Sequence, residues 1–312
     1  MRYLRWLSVA LALFIAPRMA SAQQKPAEKA PAKASETAPA GYAGSAACLD
    51  CHKETSQRFA ATTMGKLIKD NGPTEHGTQG CESCHGPSKA HVESGGDVLP
   101  PISFSRKAKT SVAVRNATCL NCHEKTARTM WAGSTHESRN VACTDCHVVM
   151  HDNTETANLK KSSVLATCGS CHRDKAASMA KFAHMPLGEG KMECTSCHSP
   201  HGSPNEKLLI GTGVNETCFS CHAEKRGPFM WEHVPVTESC ANCHDPHGSN
   251  KQRMLKTALP RLCQQCHFTP HGAPSARPSD QASVRFNYNK GCVNCHSAIH
   301  GSNHPAGAFF TR

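Results

Sequence analysis

The sequence predicts a chain of loops and short α-helices with little or no sheet, laid out as an elongated row of five similar units. Three observations predict it: the cysteine and histidine content, the regular spacing of both, and the poverty of aromatic side chains. The 312 residues include 20 Cys and 21 His, while Phe, Trp and Tyr together make up 5%. Mean hydropathy is −0.48. A chain of this length has room for one large domain or two ordinary ones. So few aromatic residues argue against folds that rest on large apolar cores, such as a doubly wound sheet, a TIM barrel or a sandwich. The interior has to come from cofactors, metals or disulfides instead.

The row of units is read from the cysteines. C-x-x-C-H occurs ten times and uses all 20 of them. The cysteine pairs, each with the histidine that follows, are Cys48, Cys51 and His52; Cys81, Cys84 and His85; Cys119, Cys122 and His123; Cys143, Cys146 and His147; and Cys168, Cys171 and His172. They continue with Cys194, Cys197 and His198; Cys218, Cys221 and His222; Cys240, Cys243 and His244; Cys263, Cys266 and His267; and Cys292, Cys295 and His296. Cys119, Cys168 and Cys218 lie 49 and 50 residues apart, and each opens a block of two motifs. After the first motif of a block comes a polar stretch and then His136, His184 or His233; after the second comes His151, His201 or His247. The blocks opened by Cys48 and Cys263 are looser copies, which makes five two-motif units in a quasi-linear array. Short helices are expected over 124–132 and 173–182, which lack proline. Turns are expected at 199–202 and 245–248, and mostly loop over 86–117, where Gly95-Gly96 and Pro100-Pro101 fall.

The N-terminus reads as an export signal over 1–22. Arg2 and Arg5 precede an apolar run, and Ala20, Ser21 and Ala22 form an A-x-A cleavage site. The run is shorter than the roughly 20 apolar residues of a membrane-spanning helix. Residues 23–47, rich in Ala, Pro and Lys, read as a flexible linker. Residues 48–312 form the domain that carries the motifs. An exported chain works in an oxidising compartment, here expected to be the periplasm.

C-x-x-C-H is the attachment signature of c-type haem. Two thiols add to the two vinyl groups of one porphyrin edge, and the adjacent histidine supplies the proximal nitrogen to iron. Zinc ribbons and disulfides are the rival readings of paired cysteines. They give no reason for a histidine after the second cysteine in every one of ten motifs. The expected fold is therefore a multihaem cytochrome c holding ten covalent haems. Ten proximal histidines leave eleven others for the sixth coordination positions: His76, His91, His136, His151, His184, His201, His233, His247, His271, His300 and His304. His201 follows proximal His198 by three residues, a span of at most about 11 Å. It is too close in sequence to pass round the porphyrin edge, so His201 and His247 are expected to ligate the iron of another unit. Repeat phase places a distal ligand 11 to 13 residues after the first proximal histidine, and after His52 that position holds Met64. Met64 is the expected thioether ligand, with His76 as the alternative; a Met/His iron has a raised reduction potential.

The formal charge of +11 falls to +8 when Arg2, Arg5 and Arg18 leave with the signal. Ten ferric haems with two propionates apiece would bring a compensating negative charge of about ten. The basic excess is thus assigned to propionates, and nucleic acid is excluded as a partner.

The runs 218–248 (CFSCHAEKRGPFMWEHVPVTESCANCHDPHG), 262–267 (LCQQCH) and 292–307 (CVNCHSAIHGSNHPAG) resemble the MtrA/PioA/DmsE-type periplasmic decahaem cytochromes, and the likeness extends over 48–312. The resemblance implies distal ligands at His91, His136, His151, His184, His201, His233, His247, His271 and His300, with His304 as the alternative to His300. Met64 stands where MtrA-like chains have histidine. It further implies a wire of haems inside an outer-membrane β-barrel partner, fed by periplasmic electron-transfer proteins and ending at an extracellular cytochrome or a mineral. A bilayer admits only helices and closed barrels, so a polar cytochrome needs such a partner to conduct across it. DmsE-type members imply the alternative, a soluble periplasmic carrier to a terminal reductase. A multihaem enzyme needs an iron with an open face, and the surplus of distal ligands argues against one.

Overall fold

A computed structural model describes residues 41–69, 75–105, 109–151, 157–184, 187, 189–267 and 291–305. The chain divides into two compact units, Met1–Ala38 and Pro39–Arg312. The first of these, with the export signal and most of the expected linker, lies outside the described residues.

The described chain is helix and loop, as the composition predicts. Its longest helix is Val112–His123, where the Ser111 hydroxyl accepts from the Val114 amide and caps the N-terminus. This helix carries Cys119, Cys122 and His123 directly. The described residues form no strand, only isolated antiparallel bridges. Three of these recur with the repeat, His147 to Leu159, His198 to Leu209 and His244 to Leu255. Two others, Phe182 to Ser249 and Trp231 to Ser302, join one unit to the next.

Apolar burial is slight. Among the described residues the buried hydrophobic side chains are Trp131, Ala142, Leu159 and Val164, while the buried polar group includes Thr62, Glu82, Ser88, Asn116, Ser134, Thr167, Thr217 and Ser302. Local hydrogen bonds therefore carry much of the specificity. Asn116 bridges the two motifs of its unit: its amide donates to the Val141 carbonyl at 3.0 Å and its carbonyl accepts from the Cys143 amide at 2.9 Å. Asn215 repeats this with Val236 and with the Cys240 amide, at 2.9 and 2.7 Å. In the first unit the Ser45 hydroxyl accepts from the Cys81 amide at 3.2 Å. Each of these residues stands three places before the first cysteine of its unit.

Some local expectations need correcting. The helix over 173–182 is present as Arg173–Met179. The one over 124–132 shrinks to the 3-10 turn Thr126–Arg128. The preceding helix ends there because Arg128 folds back, its Nε donating to the His123 carbonyl at 2.8 Å, and the chain turns to bury Trp131. Both expected turns form, with Gly202 and Gly248 amides donating to Ser199 and Asp245 carbonyls. The stretch read as loop over 86–117 contains the helix Lys89–Glu93 and the start of Val112–His123. Ser45–Leu49 is helical, so the end of the segment read as linker belongs to the first unit.

Candidate haem sites

The thiols come first, because they fix where each porphyrin edge would lie. None of the 20 cysteines is in a disulfide. Within every unit the first cysteines of the two motifs touch through their thiols: Cys48 with Cys81, Cys119 with Cys143, Cys168 with Cys194, Cys218 with Cys240, and Cys263 with Cys292. Between units the second cysteines are neighbours: Cys84 with Cys122, Cys146 with Cys171, Cys197 with Cys221, and Cys243 with Cys266. The contacts alternate along the chain, and Cys51 and Cys295 stand at the two ends of the series. The motifs are thus adjacent in chain order, first to last. The thiol contacts also split the acidities. Hydrogen bonding from Cys119 lowers Cys143 to about 7, and Cys168 does the same to Cys194.

The imidazoles come next. In seven places a motif histidine faces a histidine from outside the motifs, with ring centroids 6.0 to 6.3 Å apart. The pairs are His52 with His91, His172 with His136, His147 with His201, His222 with His184, His198 with His247, His267 with His233, and His244 with His300. Two metal–nitrogen bonds of about 2 Å, plus about 1 Å from each nitrogen to its ring centre, sum to about 6 Å. Every pair therefore has the separation that a metal held between two Nε2 atoms requires. Among the described residues no group of three or more His, Cys, Asp or Glu converges as a metal-ion shell. The donor set is two facing imidazoles beside two thiols, which would suit a porphyrin iron and not a tetrahedral ion.

Backbone carbonyls select the ligating nitrogen. The second-motif histidines donate from Nδ1: His85 to Ile102 at 3.1 Å, His147 to Ala157 at 2.9 Å, and His198 and His244 to Lys207 and Arg253 at 2.8 Å. For first-motif sites the distal partner does it instead: His91 to Val98 at 2.7 Å, His136 to Pro200 at 2.8 Å and His233 to Ile299 at 3.1 Å. An Nδ1–H held this way leaves Nε2 as the free lone pair and fixes the ring plane. His184 departs from the rule, because its buried Nδ1 has no hydrogen-bond partner among the described residues. Burial lowers the pKa of His184, His201, His233, His247 and His300, which keeps these imidazoles neutral and able to bind iron.

The pairs also show which unit supplies which ligand. His136, His184 and His233, after first motifs, reach forward to the first histidine of the following unit. His201, His247 and His300, after second motifs, reach back to the second histidine of the preceding unit. The glycine after each backward-reaching histidine allows this. Gly202, Gly248 and Gly301 have φ of +120°, +118° and +130°. A Cβ on them would overlap the Met130 carbonyl, the Ser178 carbonyl and the Phe229 ring of the preceding unit.

The remaining expected ligands divide as follows. His300 rather than His304 reaches His244, while the His304 carbonyl accepts from Trp231 Nε1 at 3.2 Å. His151 is half-buried, and no motif imidazole stands opposite it at pair distance among the described residues. Met64 is half-buried on the helix Thr63–Lys69. His76 lies on the turn Glu75–Gln79 with its side chain outside the described residues, and His271 lies outside them altogether. Sequence reading passed over Ser45, Asn116 and Asn215; their shared position three residues before a cysteine is the signal that marks them.

Ten cysteine pairs in chain order, each followed by a histidine and seven of those histidines faced by a second one, define a multihaem c-type cytochrome, an electron-transfer protein. Comparison with known proteins agrees. The chain matches the family models described as doubled CXXCH motif over 184–227 and 233–276, cytochrome c-type protein NrfB-like over 81–171, and cytochrome c554 and c-prime over 15–86. It is 40% identical to multiheme cytochrome MtrA of Shewanella baltica, over 98% of this chain and 94% of the relative. It is also similar to cytochrome c-type protein NrfB of Escherichia coli O6:H1, at 30% identity over 42% of this chain and 66% of that one. C-type polyheme cytochrome OmcB of Geobacter sulfurreducens is 24% identical over 61% of this chain and 22% of its own length. The chain belongs to the MtrA family of multihaem cytochromes.

Proposed function

We propose that the chain holds ten haem c groups, one at each motif, and carries electrons between the periplasm and the cell exterior as the wire inside an outer-membrane β-barrel partner. The observation that carries this reading is the set of seven facing imidazole pairs. When bound, haem supplies an iron that gains or loses a single electron. The residues do the rest. Each cysteine pair fastens one porphyrin edge, and the thiol contacts set successive edges beside one another in chain order. At the seven sites with facing histidines, the two imidazoles would hold the iron between them and leave it no position for a substrate. The carbonyl anchors on Nδ1 hold the rings in place in both oxidation states, which keeps rearrangement on electron transfer small. The near coextensive match to MtrA supports a whole-chain role of the same kind.

The remaining distal positions are assigned to Met64, His151 and His271. Periplasmic electron-transfer proteins act at one end and an extracellular cytochrome or a mineral at the other. A bilayer admits only helices and closed barrels, which is why the reading includes a barrel partner.

The test uses outer membranes of the source cell. The holoprotein is isolated with whatever barrel accompanies it and placed in vesicles enclosing reduced methyl viologen, with ferric citrate outside. Oxidation of the enclosed dye by the complex, and not by vesicles carrying barrel alone, is the expected result. Recovery of the protein in the soluble periplasmic fraction, with transfer only when dye and acceptor share its compartment, would replace the conduit by a soluble carrier.

A further inference from the structure

The first unit poses a problem that the pairing solves. His52 already faces His91, with centroids 6.1 Å apart, so the iron at 48–52 has its sixth ligand from within its own unit. Met64 is not needed there. Conversely, none of the facing imidazole pairs among the described residues includes His123.

The local structure around Met64 shows where it belongs. Phe59 to Gly65 and Trp131 to Glu137 follow one plan, aromatic, two small residues, hydroxyl, threonine, ligand position. Thr62 has φ −72° and ψ 160°; Ser134 has φ −67° and ψ 159°. The Thr62 amide donates to the Phe59 carbonyl at 2.9 Å, and the Ser134 amide to the Trp131 carbonyl at 2.9 Å. Each hydroxyl then accepts from the amide three residues on, Gly65 to Thr62 at 2.9 Å and Glu137 to Ser134 at 3.2 Å. Thr62 and Ser134 are 1% and 6% exposed, so both turns are packed and not surface coincidences. Met64 and His136 are each the second residue of the helix that follows, Thr63–Lys69 and Thr135–Ser138. Met64 is thus the structural counterpart of His136. His136 reaches forward to His172, the first motif histidine of the next unit, as His184 does to His222 and His233 to His267. The first motif histidine after Met64's unit is His123, and the two units are adjacent where Cys84 neighbours Cys122.

We infer that Met64 is the sixth ligand of the iron attached through Cys119, Cys122 and His123, one unit beyond its own. This deepens the ten-haem reading and rests on it. A thioether raises the potential of an iron that histidine pairs would leave lower. The third iron in the row then holds an electron more firmly than its neighbours, two positions in from the N-terminal end. Electrons entering or leaving at that end must pass this site.

The experiment is near-infrared magnetic circular dichroism with potentiometric titration of the ferric holoprotein. One thioether–iron signature is expected beside bis-imidazole sites, belonging to the highest-potential iron. Met64→His removes that signature, keeps the haem number, and lowers the highest potential; His76→Ala leaves all three unchanged. Location is read from two double variants. Cys119→Ala with Cys122→Ala loses the signature together with one haem, whereas Cys48→Ala with Cys51→Ala loses one haem and keeps it; either variant suffices if the other fails to mature. Bis-imidazole signals from every iron of a full-haem protein would overturn the inference and leave the function standing. So would a signature that survives Met64→His or the loss of the 119–123 haem. A native protein with fewer than ten haems would instead overturn the reading beneath it.

Discussion

The motif histidines His172, His198, His222, His244 and His267 are each faced by a histidine borrowed from a neighbouring unit, whereas His52 in the first unit is faced from within its own. In the repeats, His201, His247 and His300 reach back across a unit boundary, and the glycine behind each lets the preceding unit press against it. Residues 1–47, ahead of the first unit, hold no C-x-x-C-H motif. His91 turns back on His52, and it is followed by Val92, not glycine. The first unit is tied by the buried Glu82, 3% exposed, whose carboxylate accepts from the Ala43, Gly44 and Ser88 amides at 2.8 to 3.0 Å. The difference teaches that the facing histidines of the later repeats double as inter-unit joints, while the first unit is tied internally by a buried carboxylate.

The largest effect is expected from Gly248→Ala. The new Cβ overlaps the Ser178 carbonyl at a positive φ, so His247 is levered away from His198 at a cost of about 2–4 kcal/mol. The check is the high-spin fraction of the ferric spectrum together with thermal unfolding. Gly95→Ala in the first unit has a similar backbone sign but open space around it, and should cost only about 1 kcal/mol with no change of spin state.

Next comes Glu82→Ala, which leaves three amides without their carboxylate and should cost about 3 kcal/mol. The loss should be confined to the first unit. Hydrogen exchange would then rise around Ala43 and Ser88 and stay constant beyond Cys168; a uniform rise would erase the distinction between the two regions.

His247→Ala and His91→Ala sharpen the comparison further. Each opens one iron to a five-coordinate, high-spin state. Only His247→Ala should also raise proteolytic cleavage between units, since His91 joins nothing beyond its own unit. The smallest effect is expected from Glu54→Gln. Its ion pair with Arg58 is solvent-exposed at both ends, so unfolding should shift by less than about 0.5 kcal/mol.

Much of this arrangement is legible in the sequence, because haem attachment needs fixed residues at fixed spacing. The motifs, the five-unit repeat and the exchange of His201 and His247 between units all follow from spacing and chain reach. The direction of exchange was not legible, because reach excludes the near iron without choosing between the units before and after. The carbonyl partners of Nδ1 were hidden for a different reason: any residue supplies a backbone carbonyl, so Pro200, Lys207 and Arg253 carry no mark in sequence. The failed helix over 124–132 shows the limit of local propensity. An uninterrupted, proline-free stretch was overridden by Arg128 closing the previous helix and by burial of Trp131.

The most direct test of ligand exchange between units is a crystal structure of the haem-loaded chain. The account predicts iron bonded to Nε2 of both members of each pair, with His201 on the iron of His147, His247 on that of His198 and His300 on that of His244. An iron of His147, His198 or His244 ligated on both sides from within its own unit, such as His151 on that of His147, would contradict it.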